Sequence, residues 1–277
     1  MHISLVNFTK LADEQVLNVV RAINRQLKED FTSHWSWTAQ VRMEGRSPLQ
    51  EGAAAFDALK QSPQDLRGDA IIYLWDKIAD VQDAVGYHDE NNRGLPYGFV
   101  FTEIAKELDE PWSVTLSHEV LELVGDANVN TLAAGPHPKH PDRIVFHWYE
   151  MCDAVQADSY KIDGVAVSNF VLPLYFTFGE QVGARNDFLN RKRRGKSLTS
   201  FGVNPGGYIG FFDPQTGDHE TYVPDAQSKK RQKIKAAMGP LRRGPLYQQL
   251  NPKHGVSPRL VEAKLPRVKI RQRAKAV

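Results

Sequence analysis

One segment, Trp112 to Asp126, restricts the fold of this chain more than any other part of its sequence. Pro111 suits the first turn of a helix, because the N–H group that it lacks would have no intrahelical partner there. Asp109 and Glu110 are available to cap that end, and Gly125 is a typical helix stop. The apolar residues spread widely around the helical wheel, which predicts a largely buried helix; they are Val114, Leu116, Val120, Leu121 and Val124.

Three ionisable residues lie inside this apolar segment. His118 and Glu122 are four residues apart, so they lie one above the other on the same helix face and could hold one metal ion together. Glu119 is next to His118 and close enough to act on a water bound to that ion. The alternative is an ordinary helix with a surface His-Glu-Glu cluster. Because a buried carboxylate without a partner is costly, the apolar surroundings favour the metal site.

The spacing matches the zinc-protease helix His-Glu-x-x-His, with a carboxylate, also an accepted zinc ligand, in place of the second histidine. A catalytic zinc takes three protein ligands and one water, so a third ligand is expected downstream. Glu150 and Asp153 follow a strand predicted over 143–149, and the sequence does not choose between them. A metzincin-like spacing would instead place Asn128 at the ion, but Asn128 is a poor zinc ligand and Asp126 is out of register.

The helix and the segment after 149 resemble a set of uncharacterised bacterial zincin-like proteins, which carry Ser-His-Glu-x-x-Glu followed by Glu-x-Cys-Asp or Glu-x-Gly-Asp. The stretches at 86–89, 94–101 and 158–173 are also similar, so the resemblance covers roughly residues 65 to 212. It implies an α+β, zincin-like fold in which a mixed sheet lies beside the active-site helix, and it implies no known substrate. The positions that match the family motif are His118, Glu119, Glu122, Glu150 and Asp153.

The chemistry expected of such a site is zinc-dependent hydrolysis of a peptide or protein substrate. Zinc lowers the pKa of a bound water from about 15.7 to near 7. Glu119 would take its proton and pass it to the leaving amine. A partner for the oxyanion must come from outside the helix, and each candidate could instead be a packing residue; the candidates are His147, Tyr160, Tyr149 and His88.

The number of cysteines and the lengths of the apolar runs limit the classes of protein to which this chain could belong. The single cysteine, Cys152, excludes an internal disulfide framework and favours a reducing compartment. With no obvious base beside it, Cys152 is interpreted as a small buried hydrophobe rather than a nucleophile. The first residues lack a secretory signal pattern and no apolar run could span a membrane, so a cytoplasmic location is expected.

Charge divides the chain into a domain over 1–225, with an N-terminal subregion over about 1–64, and a tail over 226–277. The tail holds fifteen of the 35 Lys and Arg residues and one of the 33 acidic residues, so it carries +14 and the domain −12. Proline-interrupted basic tails stay extended and bind polyanions or acidic protein surfaces. A solubilising or self-docking tail is the alternative. The rival interpretation of the whole protein is a non-catalytic scaffold or assembly component.

The remaining patterns predict ordinary elements. A helix is expected over 11–29, and strands over 39–43, 70–75 and 97–102. Strands and hairpins are expected over 165–173 and 207–223, with a turn at 213–218. Repeated prolines around His137 and His140 predict an exposed extended loop, and the residues 191–194 predict an exposed basic loop.

Overall fold

The structure is a computed structural model that describes residues 1–45, 55, 58–59, 66–77, 85–91, 93–179, 184–193, 195–226 and 228. In these ranges the chain is an α+β protein with mixed sheets, as the sequence predicts. The predicted basic tail, apart from Ala226 and Ser228, lies outside the described residues. So do residues 46–54, 56–57 and 60–64 of the N-terminal subregion and Arg194 of the basic loop.

The first sheet has five strands, in the order β2-β1-β3-β5-β4. All neighbours are parallel except β4, which runs antiparallel to β5 at one edge. The apolar run of β3 lies in the middle and is buried along most of its length, as is typical of a central parallel strand. The strands are β1 (His2–Asn7), β2 (Gln40–Glu44), β3 (Ala70–Trp75), β4 (Gly86–Glu90) and β5 (Pro96–Phe101).

The first helical region is longer and less regular than predicted. Helix α1 (Asp13–Arg25) continues into a π-helical segment, Gln26–Phe31, and then into the short helix α2 (Thr32–Trp35). On α1, Val16, Val19, Val20 and Ile23 are buried, and Leu17 is partly exposed. In the π-helical segment, Gln26, Leu27 and Phe31 are buried.

Helix α3 (Thr102–Glu107) precedes α4 (Trp112–Gly125), which packs against β4, β5 and the later strand β9. The predicted end at Gly125 is confirmed, but the reason differs from a left-handed stop. A Cβ atom at Gly125 would lie 2.1 Å from Cε of Met151, so the glycine permits close packing. At the other end the predicted carboxylate cap is wrong: Pro111 is the N-cap residue, with no side-chain hydrogen bond, and Glu110 instead accepts one from Thr115.

The second half of the chain forms two antiparallel sheets. The larger has the order β11-β10-β7-β6, and the smaller is the hairpin of β8 and β9. The predicted strand over 165–173 ends early, at Ser168, and the short 3₁₀ helix Pro173–Phe176 follows. The strands are β6 (Leu132–His137), β7 (His140–Trp148), β8 (Ser159–Ile162), β9 (Val165–Ser168), β10 (Ile209–Asp213) and β11 (Asp218–Tyr222).

The predicted proline-rich exposed loop is instead the turn of the β6–β7 hairpin. His137 ends β6 with 4% of its surface exposed, and His140 begins β7. Nδ1 of His137 accepts hydrogen bonds from the backbone N–H groups of Lys139 and His140, at 3.0 and 3.2 Å. The prolines are tolerated because Pro138 occupies the turn and Pro136 lies on an edge strand.

The predicted basic loop is partly anchored. Arg191 and Arg193 both pair with the buried carboxylate of Asp158. No helix in the described part of the chain is long and apolar enough to cross a membrane.

Candidate metal centre

Helix α4 brings the first pair of candidate ligands together. Nε2 of His118 lies 3.0 Å from Oε2 of Glu122, and both side chains are buried. The same Nε2 atom lies 3.3 Å from Oδ1 of Asp153. Asp153 begins a single 3₁₀ turn, Asp153–Val155, in the segment that follows β7. The predicted helix residues and one of the two predicted downstream carboxylates therefore meet around one imidazole nitrogen.

A second imidazole reaches the same carboxylates from the first sheet. Nδ1 of His88, on β4, lies 3.3 Å from Oε2 of Glu119 and 3.8 Å from Oε2 of Glu122. Nε2 of His88 lies 4.0 Å from Oε2 of Glu150. From the sequence alone, His88 is predicted only as a candidate oxyanion partner, because the sequence does not show that β4 packs against α4.

Six residues form one cluster: His88, His118, Glu119, Glu122, Glu150 and Asp153. Their side chains are largely removed from water. Their side-chain exposure ranges from 2% for Glu119 to 10% for Glu150. The cluster combines four carboxyl groups with two imidazoles, so its composition favours a cation among the carboxylates.

Part of this cluster has a spacing that suits a metal ion. Ligands at about 2.0–2.2 Å from a tetrahedral zinc lie roughly 3.3 Å from one another. Ligand atoms of His118, Glu122 and Cys152 lie within 4.8 Å of one another, and so do those of His88, Glu119 and Glu122. A third such group, His137 with Asp213 and Glu220, lies in the larger antiparallel sheet, where Arg143 already pairs with Asp213.

Cys152 is fully buried, as predicted. Burial raises the pKa of its thiol well above the usual value, and the nearby carboxylate of Glu122 raises it further. Its backbone N–H donates a hydrogen bond to Oε1 of Glu122 at 3.2 Å. Cys152 therefore holds one oxygen of Glu122 in place while the other oxygen faces the two imidazoles.

A small cavity borders the cluster. Its volume is about 20 Å³, and its lining includes Gly86, His118 and Glu119. A cavity needs roughly 10–15 Å³ of such volume to hold one water molecule. A Cβ atom at Gly86 would lie 2.9 Å from Oε1 of Glu119 and 2.8 Å from Cγ2 of Thr115. The glycine therefore allows β4 to approach α4 closely at Glu119.

The metzincin-like candidates make other contacts. The carboxylate of Asp126 accepts hydrogen bonds from the backbone N–H groups of Asn130 and Thr131 and from the hydroxyl of Thr131. Asn128 donates its side-chain N–H to Oε2 of Glu90 at 2.6 Å.

Two of the oxyanion candidates lie in other surroundings. His147 is buried in the larger antiparallel sheet, where its Nε2 lies 2.9 Å from the carbonyl oxygen of Pro136 and its ring packs on Phe201. Burial lowers the pKa of His147 to about 4. The hydroxyl of Tyr160 donates a hydrogen bond to Asp30 at 2.6 Å. Burial, followed by the hydrogen bond to Asp30, raises the pKa of Tyr160.

The third aromatic candidate, Tyr149, is also mainly a packing residue. Its ring stacks on Phe176 with centroids 4.1 Å apart and meets Trp35 edge to face. Burial raises the pKa of its hydroxyl, and Asp126 contributes in the same direction. The structure thus gathers the predicted metal ligands and Glu119, and it directs His147, Tyr160 and Tyr149 into contacts elsewhere.

The fold and the cluster together define an α+β protein with a buried histidine–carboxylate centre between a mixed sheet and one helix. Comparison with known proteins adds no family to this description: no protein-family model, curated protein or solved structure matches the chain.

Proposed function

We propose that this chain is a zincin-like, zinc-dependent hydrolase of the metallopeptidase type, acting on a peptide or protein. The proposal rests mainly on one observation. Nε2 of His118 on α4 lies 3.0 Å from Oε2 of Glu122, on the same helix, and 3.3 Å from Oδ1 of Asp153, which comes from a separate segment. These three residues would hold the ion. Histidine nitrogen and carboxylate oxygen are both accepted zinc donors, and a catalytic zinc site uses three protein ligands.

The protein groups would divide the chemistry among them. Bound zinc would supply a water of lowered pKa and polarise the substrate carbonyl. Glu119 borders the small cavity, where it would accept a proton and later deliver it to the leaving amine. His88, 3.3 Å from Glu119, would hold that carboxylate in position. The low exposure of the cluster would limit competing water.

A second candidate is a non-catalytic scaffold in which the ion stabilises the fold and the tail over 226–277 binds a polyanion or an acidic protein. The specific observation in its favour is the enclosure of the cluster, whose side chains are at most 10% exposed beside a cavity of about 20 Å³. Closed sites are typical of structural zinc, and catalytic sites keep an open position.

Hydrolysis of an unstructured protein such as casein separates the two candidates. The zinc-loaded wild type and Glu119→Gln are compared at equal metal content. The enzyme proposal expects turnover in the wild type and a loss of at least about 100-fold in Glu119→Gln, in line with the usual contribution of general acid–base catalysis. A matched control, Glu103→Gln on α3, should retain turnover. Equal turnover in wild type and Glu119→Gln, or none in either, contradicts the enzyme proposal.

A further inference from the structure

The proposed hydrolysis needs a hydrogen-bond donor for the negative charge that develops on the substrate carbonyl oxygen. Three residues that the sequence offers for this task make contacts elsewhere; they are His147, Tyr160 and Tyr149. Such a donor should instead lie at the small cavity that His118 and Glu119 line, because the reacting groups meet there.

Among the described side chains that line this cavity, Gln156 is the one that offers a suitable donor. The hydroxyl of Thr115 donates to Oε1 of Glu110 at 3.2 Å, and His118 is a proposed metal ligand. The carboxylates in the lining are acceptors when they are ionised. The other lining residues have no side-chain donor: Val85, Gly86 and Leu108.

The amide of Gln156 is buried and anchored at one point. The residue is 5% exposed, and its Nε2 donates a hydrogen bond to the carbonyl oxygen of Gly206 at 2.8 Å. Because a primary amide carries two N–H donors on this nitrogen, the bond to Gly206 fixes the amide and leaves the second N–H available.

The turn that carries a proposed metal ligand also carries Gln156. Asp153 begins the 3₁₀ turn Asp153–Val155, and Gln156 is its C-cap residue. Side chains three residues apart in a 3₁₀ helix lie one above the other. Oδ1 of Asp153 lies 3.3 Å from Nε2 of His118. One turn therefore directs Asp153 to the metal centre and Gln156 to the cavity beside it.

A neighbouring segment holds this turn in place. The backbone N–H of Asn204 donates to the carbonyl oxygen of Ala154 at 2.9 Å, and that of Tyr208 donates to the carbonyl oxygen of Asp153 at 3.2 Å. A Cβ atom at Gly207 would lie 2.3 Å from the carbonyl oxygen of Ala154, so the segment lies tightly against the turn. A donor on this turn is therefore already in position before the reaction, as stabilisation of a transition state requires.

We infer that Gln156 is a catalytic residue of the proposed hydrolase, and that its second Nε2–H donates to the substrate carbonyl oxygen. This inference rests on the proposed function. The proposed ligands remain His118, Glu122 and Asp153, so the fourth position that a catalytic zinc site keeps open is preserved. The cavity of about 20 Å³ has room for one oxygen of the size of a water molecule.

Gln156 would act on the oxygen whose charge changes during the reaction. Water adds to the carbonyl carbon while Glu119 takes its proton, and the C=O electron pair moves to the oxygen. The hydrogen bond from Gln156 is strongest at that stage. When the electron pair returns, the C–N bond breaks and Glu119 gives the proton to the leaving amine.

Steady-state hydrolysis of casein by the zinc-loaded full chain tests this role. Gln156→Met removes both N–H donors and keeps a side chain of similar length. We expect kcat to fall by about 100- to 1,000-fold, the usual effect of removing one such donor, while KM changes little and zinc content equals that of wild type. Gln215→Met should retain the wild-type kcat; it is the matched control, because Gln215 is exposed in the turn between β10 and β11.

Zinc content and circular dichroism separate this role from a structural one. Loss of zinc from folded Gln156→Met would show that the side chain only positions the turn, and would overturn the inference. A raised KM with unchanged kcat would also overturn it, because the amide would then bind substrate and transition state equally. If Gln156→Met does not fold, Gln156→Glu takes its place with the same expected fall in kcat, because it keeps the length and lacks the N–H groups when ionised.

The inference and the proposed function fail in different ways. Wild-type turnover that is lost in Glu119→Gln and unchanged in folded Gln156→Met overturns the assignment of Gln156 alone. Wild type without turnover overturns this inference and the proposed function together.

Discussion

Nε2 of His118 lies 3.0 Å from Oε2 of Glu122, one turn further along the same buried helix. An isolated pair of this kind on a protein surface contributes little to stability, about 0.3–0.5 kcal/mol. Here it is buried between a sheet and a helix together with three more carboxyl groups, so the arrangement is more consistent with ligand binding than with stabilisation of α4.

The two downstream carboxylates should respond differently to neutralisation. Asp153→Asn removes a charged oxygen 3.3 Å from His118 and should lose most of the bound zinc. Glu150→Gln should keep zinc with affinity lowered by roughly 10- to 100-fold. Metal content after dialysis against a weak chelator measures both. The opposite order would make Glu150 the ligand, and a loss confined to Asp126→Asn or Asn128→Ala would favour the metzincin-like spacing.

Gly86→Ala should impair catalysis more than metal binding. The added methyl group would lie 2.9 Å from Oε1 of Glu119 and 2.8 Å from Thr115, so either the strand or the Glu119 side chain must move. We expect turnover to fall by at least about 10-fold, stability to fall by about 1–3 kcal/mol, and zinc to remain bound. Gly45→Ala is the control, because a Cβ atom there meets nothing within 4 Å. Unchanged turnover in Gly86→Ala would show that Glu119 tolerates displacement or plays no part.

His147 should make stability depend on pH. Its pKa is lowered to about 4 in the folded protein, against about 6.5 in the unfolded chain. Between these values the unfolded chain binds the proton and the folded chain does not, so stability is complete above about pH 6.5 and falls as pH approaches 4. The loss at about pH 4.5 is roughly 2–3 kcal/mol. Urea unfolding at about pH 6.5 and about pH 4.5 measures this loss of stability, which should be smaller in His147→Gln than in the wild type. Equal losses in the two proteins would show that His147 does not cause the pH dependence.

Deleting 229–277 tests the role of the basic tail, which holds all fifteen of the basic residues counted in 226–277. Zinc content and folding should be retained, while affinity for heparin should weaken and its dependence on salt should become shallower. If the tail lies along the acidic domain, the truncated protein should melt at a lower temperature in low salt. Unchanged melting and unchanged heparin affinity would leave the tail as a solubilising segment.

Local patterns predicted several of the elements, but not the strands β1, β4, β6 and β8. The apolar run and Gly125 predicted the end of α4, and the β-branched and aromatic run of β3 predicted a buried strand. The spacing within one helix predicted that His118 and Glu122 lie close together, because residues four apart share a helix face whatever the tertiary structure.

Contacts that depend on sheet order could not be predicted in this way. The approach of His88 to α4 requires β4 to lie at the edge beside β5, and it requires a glycine at position 86. The burial of His137 likewise depends on hairpin pairing that its proline-rich sequence obscures. The choice between Glu150 and Asp153 depends on which imidazole each carboxylate meets, which spacing along the chain does not determine.

The metal content of the purified full-length protein, measured by elemental analysis beside His118→Ala, tests the central claim most directly. The account predicts close to one zinc ion per wild-type chain and little or none in His118→Ala, because losing one donor from a carboxylate-rich site leaves too few ligands to hold the ion. Wild type without metal, or equal zinc in both proteins, would contradict it.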